Sequence, residues 1–363
     1  MSVQKAIVNL DAEIIVIDNN SSDDSCEMMK RVFPNVKLIQ NKENFGFPKG
    51  NNIGVKEAKG EYLCVLNPDT VVGEDTFEKI LTFAKSKNDL GIVGCKLIDG
   101  KGNFLPESKR GIPTPWVSFT KIFGLYKLFP NATFFNKYYA QHLKTNQTGK
   151  VEILVGAFMI LERELYNEIG GFDENCFMYS DDIDLSYMVL QKGKQNYYFH
   201  DTTVIHYKGE STIKDETYMK RFQEAMNFFY RKHFNPEGSG SIFFSFFMKI
   251  GIVFFSIVKM FQGKKKATTS PENYILVSEK SNKNEILTKL KNTLKADFVN
   301  KNRAEVATEF IIDSSSFTFK EIIKLLESNK NKDNTFKILM NDSNYLIGSN
   351  SSNNKGEIIL IND

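Results

Sequence analysis

The sequence predicts an α/β protein with two folded units. Short apolar runs, among them EIIVI, VKLIQ and EYLCVL, alternate with helix-like stretches. This alternation is typical of a mixed, mostly parallel sheet with helices on both faces. The 363 residues exceed the length of one typical domain. A second, shorter alternation follows a Thr-Thr-Ser-Pro linker, so we expect an additional small C-terminal α/β domain.

The larger unit is predicted to run from the strand EIIVI to a helix that ends near residue 233. The stretch 102–150 has no clean period and is expected to be an insertion that is mobile or faces a substrate. The other expected elements, in order, are a helix over 24–32, VKLIQ, a glycine-rich loop NFGFPKGNN, a helix over 53–58, the strands EYLCVL, GIVGCKLI and VEILVGAFMILE, helices over 163–170 and 181–192, the strands NYYFH and TVIHY, and a helix over 215–233.

Composition excludes several classes of protein. A formal net charge of +3 is too small to indicate nucleic-acid binding. The four cysteines have no close pairs, which fits neither a disulfide framework nor a zinc knuckle. We therefore expect a reducing, cytoplasmic environment.

The segment 242–261 is nearly all apolar, with serines and Lys249 on the opposite side of a helical wheel and three lysines at 264–266. This pattern predicts an amphipathic helix lying on an anionic membrane surface. A spanning helix and a helix packed on its own domain are the alternatives. The predicted divisions are thus the larger domain over 1–235, a helix and basic linker over 236–266, and an accessory domain over 267–363. The accessory domain shows no catalytic constellation, so we interpret it as a binding or assembly module.

Polar residues follow the first two strands. Asp18 and Asn20 come directly after EIIVI, where a carboxylate could accept hydrogen bonds from a nucleobase or ribose, or could simply cap a helix. The loop NFGFPKGNN offers amides and close backbone approach at a helix N-terminus, although this motif alone is weak. Its candidate binding residues are Asn44, Gly46, Gly50 and Asn51.

Asp69 follows a buried strand in the order Asn67, Pro68, Asp69. A hard carboxylate at a strand end suits Mg²⁺ or Mn²⁺ bridged to phosphate oxygens, while a plain turn aspartate is the alternative. His206 ends a later strand and could ligate metal or be structural, and Lys208 adds positive potential for a diphosphate.

Asp181, Asp182 and Asp184 open a predicted helix. Carboxylates at a helix N-terminus are stabilised by the helix dipole, so capping alone could explain them. Three like charges within one turn disfavour one another, however, which points to a purpose such as proton abstraction.

Taken in order, DNNSSDDS, NFGFPKGNN, NPDT, VGAFMILERELYNEIGGFDE, MYSDDIDLSYMVLQKG and VIHYKGEST resemble the family 2 glycosyltransferases, in particular their rhamnosyltransferase-like branch. The resemblance covers about residues 12–233. It implies a GT-A fold, an inverting mechanism and metal-dependent use of a nucleotide diphosphate sugar. It also implies that Asp18 contacts the nucleoside, Asp69 binds the metal, and His206 assists metal or diphosphate binding. Asp182 would be the catalytic base, and Asp181 stands where glutamate is usual. The stretch lining the acceptor side is matched by Gly156, Ala157, Gly171, Phe172 and Asp173.

Two departures from the family pattern stand out. Met188 replaces an arginine that is common on the helix after the aspartate pair, so that charge is missing or supplied elsewhere. The opening MSVQKAIVNL is typical of the tail of the family's first helix, so we expect the family's first strand, which lies between the strands ending at Asp18 and Asp69, to be absent. A gap of that kind would leave buried N–H and C=O groups unmet, at roughly 1–3 kcal/mol each, which predicts a truncated chain or a start-site error, with weak or no activity.

The sequence therefore predicts a metal-dependent sugar transferase on the cytoplasmic face of the membrane. Its expected acceptor is a saccharide or a lipid-linked sugar of a surface polysaccharide, and branch resemblance alone suggests rhamnose as the donor sugar. A catalytically inactive subunit that binds a nucleotide sugar or an assembly partner is the first alternative. A nucleotidyltransferase is the second, but its N-terminal glycine-rich phosphate loop is not visible.

Overall fold

The computed structural model describes residues 1–129, 132, 134–176, 179–208, 216–234, 271–299, 306–331, 333–340, 344–350 and 356–361. The predicted amphipathic helix over 242–261 lies outside these residues. Within them, no helix combines the length and the apolarity needed to cross a bilayer.

The larger unit contains nine helices and eight strands within the described residues. The helices are α1 Ser2–Ala6, α2 Ser25–Val32, α3 Gly46–Glu57, α4 Thr76–Lys85, α5 Pro115–Ile122, α6 Leu125–Leu128, α7 Arg163–Glu168, α8 Asp181–Gln191 and α9 Glu216–Phe234. The strands are β1 Ile15–Asp18, β2 Lys37–Gln40, β3 Tyr62–Leu66, β4 Thr70–Val71, β5 Leu90–Ile98, β6 Gly149–Val151, β7 Phe158–Glu162 and β8 Gln195–His206.

Six strands form the central sheet in the order β3-β7-β5-β8-β4, with β6 paired to β8. The predicted mixed α/β fold is confirmed, but the expected majority of parallel pairs in this sheet is wrong. Among the described strands of this sheet, only β5 and β8 pair in parallel, while β7 lies antiparallel between β3 and β5. The apolar runs reveal that strands exist and are buried, but not the direction in which each one returns.

Alternating side chains of the sheet pack into two hydrophobic cores, one on each face. Phe158 and Ile160 pack with Ile80 of α4 on one face, while Met159 and Leu161 pack with Leu185 of α8 on the other. This period of two is the pattern expected of a strand buried on both faces. Helices therefore cover both faces of the sheet, as predicted.

Strands β1 and β2 form a separate parallel pair. Among the described strands, β1 pairs with β2 and β3 pairs with β7, so none lies between β1 and β3.

Three local predictions are corrected by the structure. The glycine-rich stretch is not a loop up to residue 52, because α3 already begins at Gly46, with Pro48 in its first turn, where a missing N–H costs nothing. The run VEILVGAFMILE divides into β6 and β7, with residues 152–157 between them. The two strands predicted for NYYFH and TVIHY form the single strand β8. The insertion holds α5, α6 and two 3-10 turns.

The C-terminal unit is a five-stranded sheet with two helices. Its strands are β9 Asn273–Val277, β10 Thr308–Asp313, β11 Thr335–Met340, β12 Tyr345–Gly348 and β13 Glu357–Leu360, and its helices are α10 Lys283–Leu294 and α11 Phe319–Asn329. The sheet order is β13-β12-β11-β10-β9, with β9, β10 and β11 parallel. Strand β12 was not predicted, since its apolar run is short.

Helix α11 joins this unit to the larger one. Ile322, Ile323 and Leu326 share a core with Val71, Ile205 and Tyr207 of the central sheet. The carboxylate of Glu74 accepts the backbone N–H groups of Phe319 at 2.8 Å and Lys320 at 2.9 Å, and so satisfies donors that a helix start leaves open. The accessory domain is thus packed on the sheet through an apolar and capped interface.

Candidate active site

Asp69 and His206 lie side by side at one end of the central sheet. Strands β4 and β8 pair Thr70 with His206, and the backbone N–H of Tyr207 donates to the carbonyl of Asp69 at 2.9 Å. This pairing places Nε2 of the histidine 3.3 Å from Oδ1 of the aspartate. Two of the predicted metal ligands are therefore neighbours.

Buried polar atoms around this pair lack protein partners. Oδ1 of Asn67 and Nδ1 of His206 are both buried without a hydrogen bond within the described part of the chain. Buried polar atoms are normally bonded, so such exceptions need an explanation. The described residues contain no group of three His, Cys, Asp or Glu side chains that could hold a metal. Asp69 and His206 fit a divalent cation that takes its remaining ligands from phosphate oxygens and water.

Asp182 lies in the first turn of α8, buried against the loop before β7. Its Oδ2 accepts a hydrogen bond from Nη2 of Arg110 at 2.5 Å and another from the backbone N–H of Gly156 at 3.1 Å. Arg110 is also held by the carbonyl of Leu154 at 2.9 Å. Both contacts to the carboxylate use Oδ2, so Oδ1 is the oxygen that can face an incoming hydroxyl.

Asp181 has a different electrostatic environment. Burial raises the pKa of this carboxyl to about 7, and the charge of Asp182 beside it adds to the effect. Two adjacent buried carboxyls cannot both ionise easily, so their protonation is coupled. The helix start therefore carries one carboxyl paired with a guanidinium and one that titrates near neutral pH.

Asp18 ends β1 as predicted and lies beside a small amide network. Burial alone would raise the pKa of Asp18, but hydrogen bonds from Ser21 and Cys26 outweigh it and leave the pKa lowered. Asn19 donates to the carbonyl of Gly46 at 2.9 Å and accepts from Asn41 at 2.7 Å. The end of β1 is thereby tied to the start of α3.

A chain of contacts joins the three predicted carboxylate sites. Phe47, in the first turn of α3, lies against Gly156, since a Cβ added at that glycine would be 3.5 Å from its ring and 3.4 Å from Cβ of Asp182. The carbonyl of Ala157, the next residue, accepts the backbone N–H of Asn67 at 3.1 Å. The loop 154–157 thus connects the Asp182 site to the Asp69 site and, through α3, to the Asp18 site.

The other residues of the glycine-rich motif have structural contacts. Asn44 accepts from the backbone N–H of Gly46 at 3.0 Å, and Asn51 donates to the carbonyl of Phe47 at 2.8 Å. Gly50 leaves room for Asn19, whose Nδ2 would lie 2.9 Å from an added Cβ. Substrate binding by these residues stays a prediction, while their part in shaping the start of α3 is visible.

Lys208 pairs with a carboxylate of the insertion. Its Nζ lies 2.6 Å from Oε1 of Glu107. Burial alone would raise the pKa of Glu107, but the charge of Lys208 outweighs it and leaves the pKa lowered. The predicted role of Lys208 toward a diphosphate would therefore require this ion pair to open or to be shared.

Three of the six non-glycine residues with a positive φ angle in the described part of the chain lie beside candidate residues. Positive φ angles occur at Asn20 (63°), Tyr179 (76°) and Lys208 (60°). Each lies two residues from a candidate side chain, respectively Asp18, Asp181 and His206. Non-glycine residues in this conformation carry strain, which is commonly found at functional sites.

Sequence reasoning did not single out Arg110 or Lys232, and it placed Asn52 only within the glycine-rich motif. Arg110 reaches Asp182 from the insertion. Asn52 accepts from the Tyr166 hydroxyl at 2.5 Å and from the backbone N–H of Phe172 at 3.1 Å, and so fixes the GGFD turn against α3. Lys232 of α9 pairs with Asp184 and Asp173, each at 2.8 Å.

Lys232 places a positive charge beside Met188, where the family's common arginine is missing. Its Nζ lies 3.6 Å from Sδ of Met188, so a cation from α9 stands beside the position where the family commonly has arginine. His233 approaches the other oxygen of Asp184, with Nε2 at 2.6 Å from Oδ1. The charge at this place is supplied by a different helix.

Two open cavities adjoin this region rather than the Asp69 site. One of about 350 Å³ is lined by residues that include Asn52, Gly171, Phe172 and Met188, and one of about 620 Å³ lies between Asp173 and α9. The ring of Phe172 meets Phe47 edge-on at 5.6 Å between centroids. The smaller cavity is therefore connected through two aromatic rings to the loop that binds Asp182.

Comparison with known proteins identifies the class. Residues 3–170 match the family described as "Glycosyl transferase family 2", and this part of the chain belongs to that family. The chain is 24% identical over 213 residues to the N-acetylglucosaminyl-diphospho-decaprenol L-rhamnosyltransferase of Mycobacterium tuberculosis, a match that covers 56% of this chain and 68% of the relative. The rhamnosyltransferase-like resemblance seen in the motifs is thereby confirmed.

Two further comparisons each cover about half of the other protein. The low-salt glycan biosynthesis hexosyltransferase Agl10 of Haloferax volcanii is 26% identical, and the match covers 48% of this chain and 52% of that protein. A crystal structure of GalNAc-T7 with UDP, GalNAc and Mn²⁺ aligns with a TM-score of 0.44 and 16% identity, over 69% of this chain and 52% of that one. The chain thus spans about half the length of these two relatives.

Proposed function

We propose that this chain transfers a sugar from a nucleotide diphosphate donor to a saccharide or lipid-linked acceptor in the synthesis of a surface polysaccharide, with inversion at the anomeric carbon. The observation that carries the proposal is the loop 154–157, which binds Asp182 through Gly156 and the Asn67–Asp69 turn through Ala157. Such a transfer requires a proton acceptor and a carboxylate on the phosphate side, and this loop contacts the segments that carry both.

The donor would lie between β1 and the Asp69 site. Asp18 and the polar loop behind it face the nucleoside, and Asp69 with His206 holds a divalent cation beside the diphosphate. The bound cation supplies charge neutralisation for the leaving diphosphate. The rhamnosyltransferase-like similarity makes a rhamnosyl donor the first to test, and Mn²⁺ or Mg²⁺ the first cation.

Asp182 acts as the base. Arg110 and Gly156 hold Oδ2, which fixes the carboxylate and leaves Oδ1 for the acceptor hydroxyl. As the hydroxyl oxygen attacks the anomeric carbon, its proton passes to Asp182 and the bond to the diphosphate breaks. A single displacement of this kind inverts the configuration.

We further propose that the enzyme works on the cytoplasmic face of a membrane. All four cysteines are free in the structure, as a reducing environment requires. The predicted amphipathic segment over 242–261 and the lysines after it supply a basic anchor, and a lipid-linked acceptor would be met at the same surface.

The decisive experiment is a transfer assay with nucleotide diphosphate sugars, Mn²⁺ and a lipid-linked acceptor. Asp182→Asn should lose transfer by at least about a hundredfold while still binding donor, since general bases contribute about 10²–10⁴-fold. Asp201→Asn, a matched change at an exposed strand position, should leave the rate unchanged. A chain that binds donor but transfers no sugar, in wild type as in the variant, would instead indicate the inactive binding subunit.

A further inference from the structure

The part of the chain between Glu107 and Glu152, which makes up most of the insertion, has an unusual composition. Over residues 108–151 the chain carries seven lysine or arginine residues, nine aromatic residues and not one aspartate or glutamate. The whole protein is nearly balanced, at 47 basic and 44 acidic residues. This one segment is therefore strongly positive and aromatic within an otherwise neutral chain.

Part of this insertion exposes apolar side chains together. Trp116 is 38% exposed, Leu128 69%, Phe129 50% and Phe134 59%; we call these four residues the aromatic patch. The ring centroids of Trp116 and Phe134 are 4.6 Å apart, and the indole N–H donates to the carbonyl of Phe134 at 3.0 Å. The two ends of the insertion's helical region are thus held against each other.

The other large apolar side chains that are exposed in the described residues lie elsewhere. They are Val8, Val32, Phe234, Ile358 and Leu360. Single exposed apolar residues are ordinary, but a contiguous group usually marks an interaction surface. The aromatic patch therefore differs from its surroundings by clustering as well as by exposure.

The patch is structurally connected to the catalytic base. Nζ of Lys121, on α5, lies 3.7 Å from the centroid of the Tyr138 ring. The carbonyl of Tyr138 accepts the backbone N–H of Gly111, at 3.0 Å, next to the arginine that binds Asp182. Lys109 holds the carbonyls of Tyr139 and Ala140 at 3.1 and 3.0 Å. The base of the insertion is fixed beside the site, while its apolar end is exposed.

We propose that the aromatic patch docks onto an anionic lipid bilayer. Aromatic residues with an apolar body favour the membrane interface. The segment 108–151 has no anion, and its exposed Lys137 and Lys144 complement acidic headgroups. Because Arg110 belongs to the same insertion, docking would hold the Asp182 site at the height of a lipid headgroup. This purpose rests on the proposed function, whereas the docking itself can be tested without turnover.

Trp116 provides the measurement, because it is the single tryptophan of the chain. Intact protein is titrated with vesicles of phosphatidylcholine alone and of phosphatidylcholine with phosphatidylglycerol. We expect a blue shift of the Trp116 emission only with the anionic vesicles, and quenching when the acyl chains are brominated. Sedimentation alone would not assign the contact, because the segment 242–261 is also predicted to bind membranes.

A pair of matched triple variants tests the assignment. Leu128→Ser, Phe129→Ser and Phe134→Ser together should weaken the Trp116 response to anionic vesicles by at least about tenfold. Val8→Ser, Ile358→Ser and Leu360→Ser remove three equally exposed apolar side chains from other places and should change nothing. Equal thermal melting of both variants confirms that folding is retained.

Three results would overturn the proposal. Vesicle binding without any change in Trp116 emission would assign the membrane contact to another segment. A lipid-independent blue shift that grows with protein concentration would mean that the patch joins two copies of the chain. Absence of vesicle binding would disprove the proposed docking altogether. Transfer to a soluble acceptor analogue, assayed without vesicles, reports on the proposed function separately, so either idea can fail alone.

Discussion

Arg110 donates to Asp182 across 2.5 Å, although the two residues are 72 positions apart in the chain. Both side chains are buried, with 10% and 12% of their side-chain surface exposed. Burial alone would lower the pKa of the arginine, but the aspartate outweighs it and raises the pKa. The insertion thus supplies the cation that pairs with the proposed base and orients its carboxylate.

Arg110→Gln is expected to lower kcat by about tenfold or more while leaving the KM for donor nearly unchanged, because the arginine acts on Asp182 and not on the nucleotide. Arg110→Lys should recover part of the rate, since it restores charge without the planar group. Steady-state kinetics with Lys144→Gln, an exposed change in the same insertion, provide the control. A donor KM that rises as much as kcat falls would contradict this positioning role.

Asp181 predicts a pH dependence of stability. Its folded pKa of about 7 lies above the ordinary value of 3.8, so the folded state binds this proton more tightly than the unfolded state. The stabilising contribution is present in full below about pH 4 and is lost as pH rises through 7. Asp181→Asn should therefore raise the melting temperature relative to wild type at pH 8 but not at pH 4.

The same residue predicts a pH dependence of rate. Because the two adjacent carboxyls are coupled, kcat/KM should rise between about pH 6 and 8 and the rise should flatten in Asp181→Asn. Melting curves and pH–rate profiles of the two proteins provide the measurements. A profile that keeps the same inflection in the variant would assign the titration to another group.

Lys232 predicts a large effect on stability. Asp184 is 1% exposed in its side chain and is paired with Lys232 and His233. Lys232→Ala should cost about 3 kcal/mol of unfolding free energy, because it leaves a buried carboxylate without one of its two partners. Arg231→Ala, an exposed neighbour on α9, should cost less than about 0.5 kcal/mol. Both are read from chemical denaturation.

A second substitution tests whether Lys232 replaces the family's arginine. Met188→Arg in the Lys232→Ala background should recover at least half of the lost stability, because Sδ of Met188 is 3.6 Å from the lysine nitrogen. No recovery in a variant that still folds would show that the two positions are not equivalent.

The interface with α11 predicts that the C-terminal unit supports the candidate site at Asp69 and His206. Ile322 is fully buried against Ile205 and Tyr207, which flank His206. Ile322→Ala should cost about 2–5 kcal/mol and should also weaken Mn²⁺-dependent donor binding, because β4 and β8 lose packing. Ile286→Ala destabilises the same unit from its other core and should leave donor binding unchanged. Similar losses of binding in both would contradict the coupling.

Much of the fold follows from local signals in the sequence. The apolar runs predict nearly every strand, and carboxylates at their ends mark Asp18 and Asp69. Arg110 and Lys232 could not be located in this way, because they reach their partners from 72 and 48 residues away. Their positions depend on how the insertion and α9 fold back, which no short-range pattern encodes. The only available signal for Arg110 was its place in the segment 108–151, which contains no acidic residue.

The direction of β7 and the docking of α11 escaped prediction for a related reason. An apolar strand reads the same in either direction. Equally, the apolar stripe of α11 fits a core of its own unit as well as one shared with a neighbour. Which surfaces meet is decided by packing between distant segments.

The separation of β1 from β3 has a consequence for the behaviour of the protein in solution. Each of these strands has one hydrogen-bonding side without a strand partner among the described residues. Such borders are templates on which an extended segment of another polypeptide can add, at a spacing of about 4.8 Å. Concentrated samples should therefore self-associate by pairing at these borders, and an extended peptide that pairs with them should keep the protein monomeric.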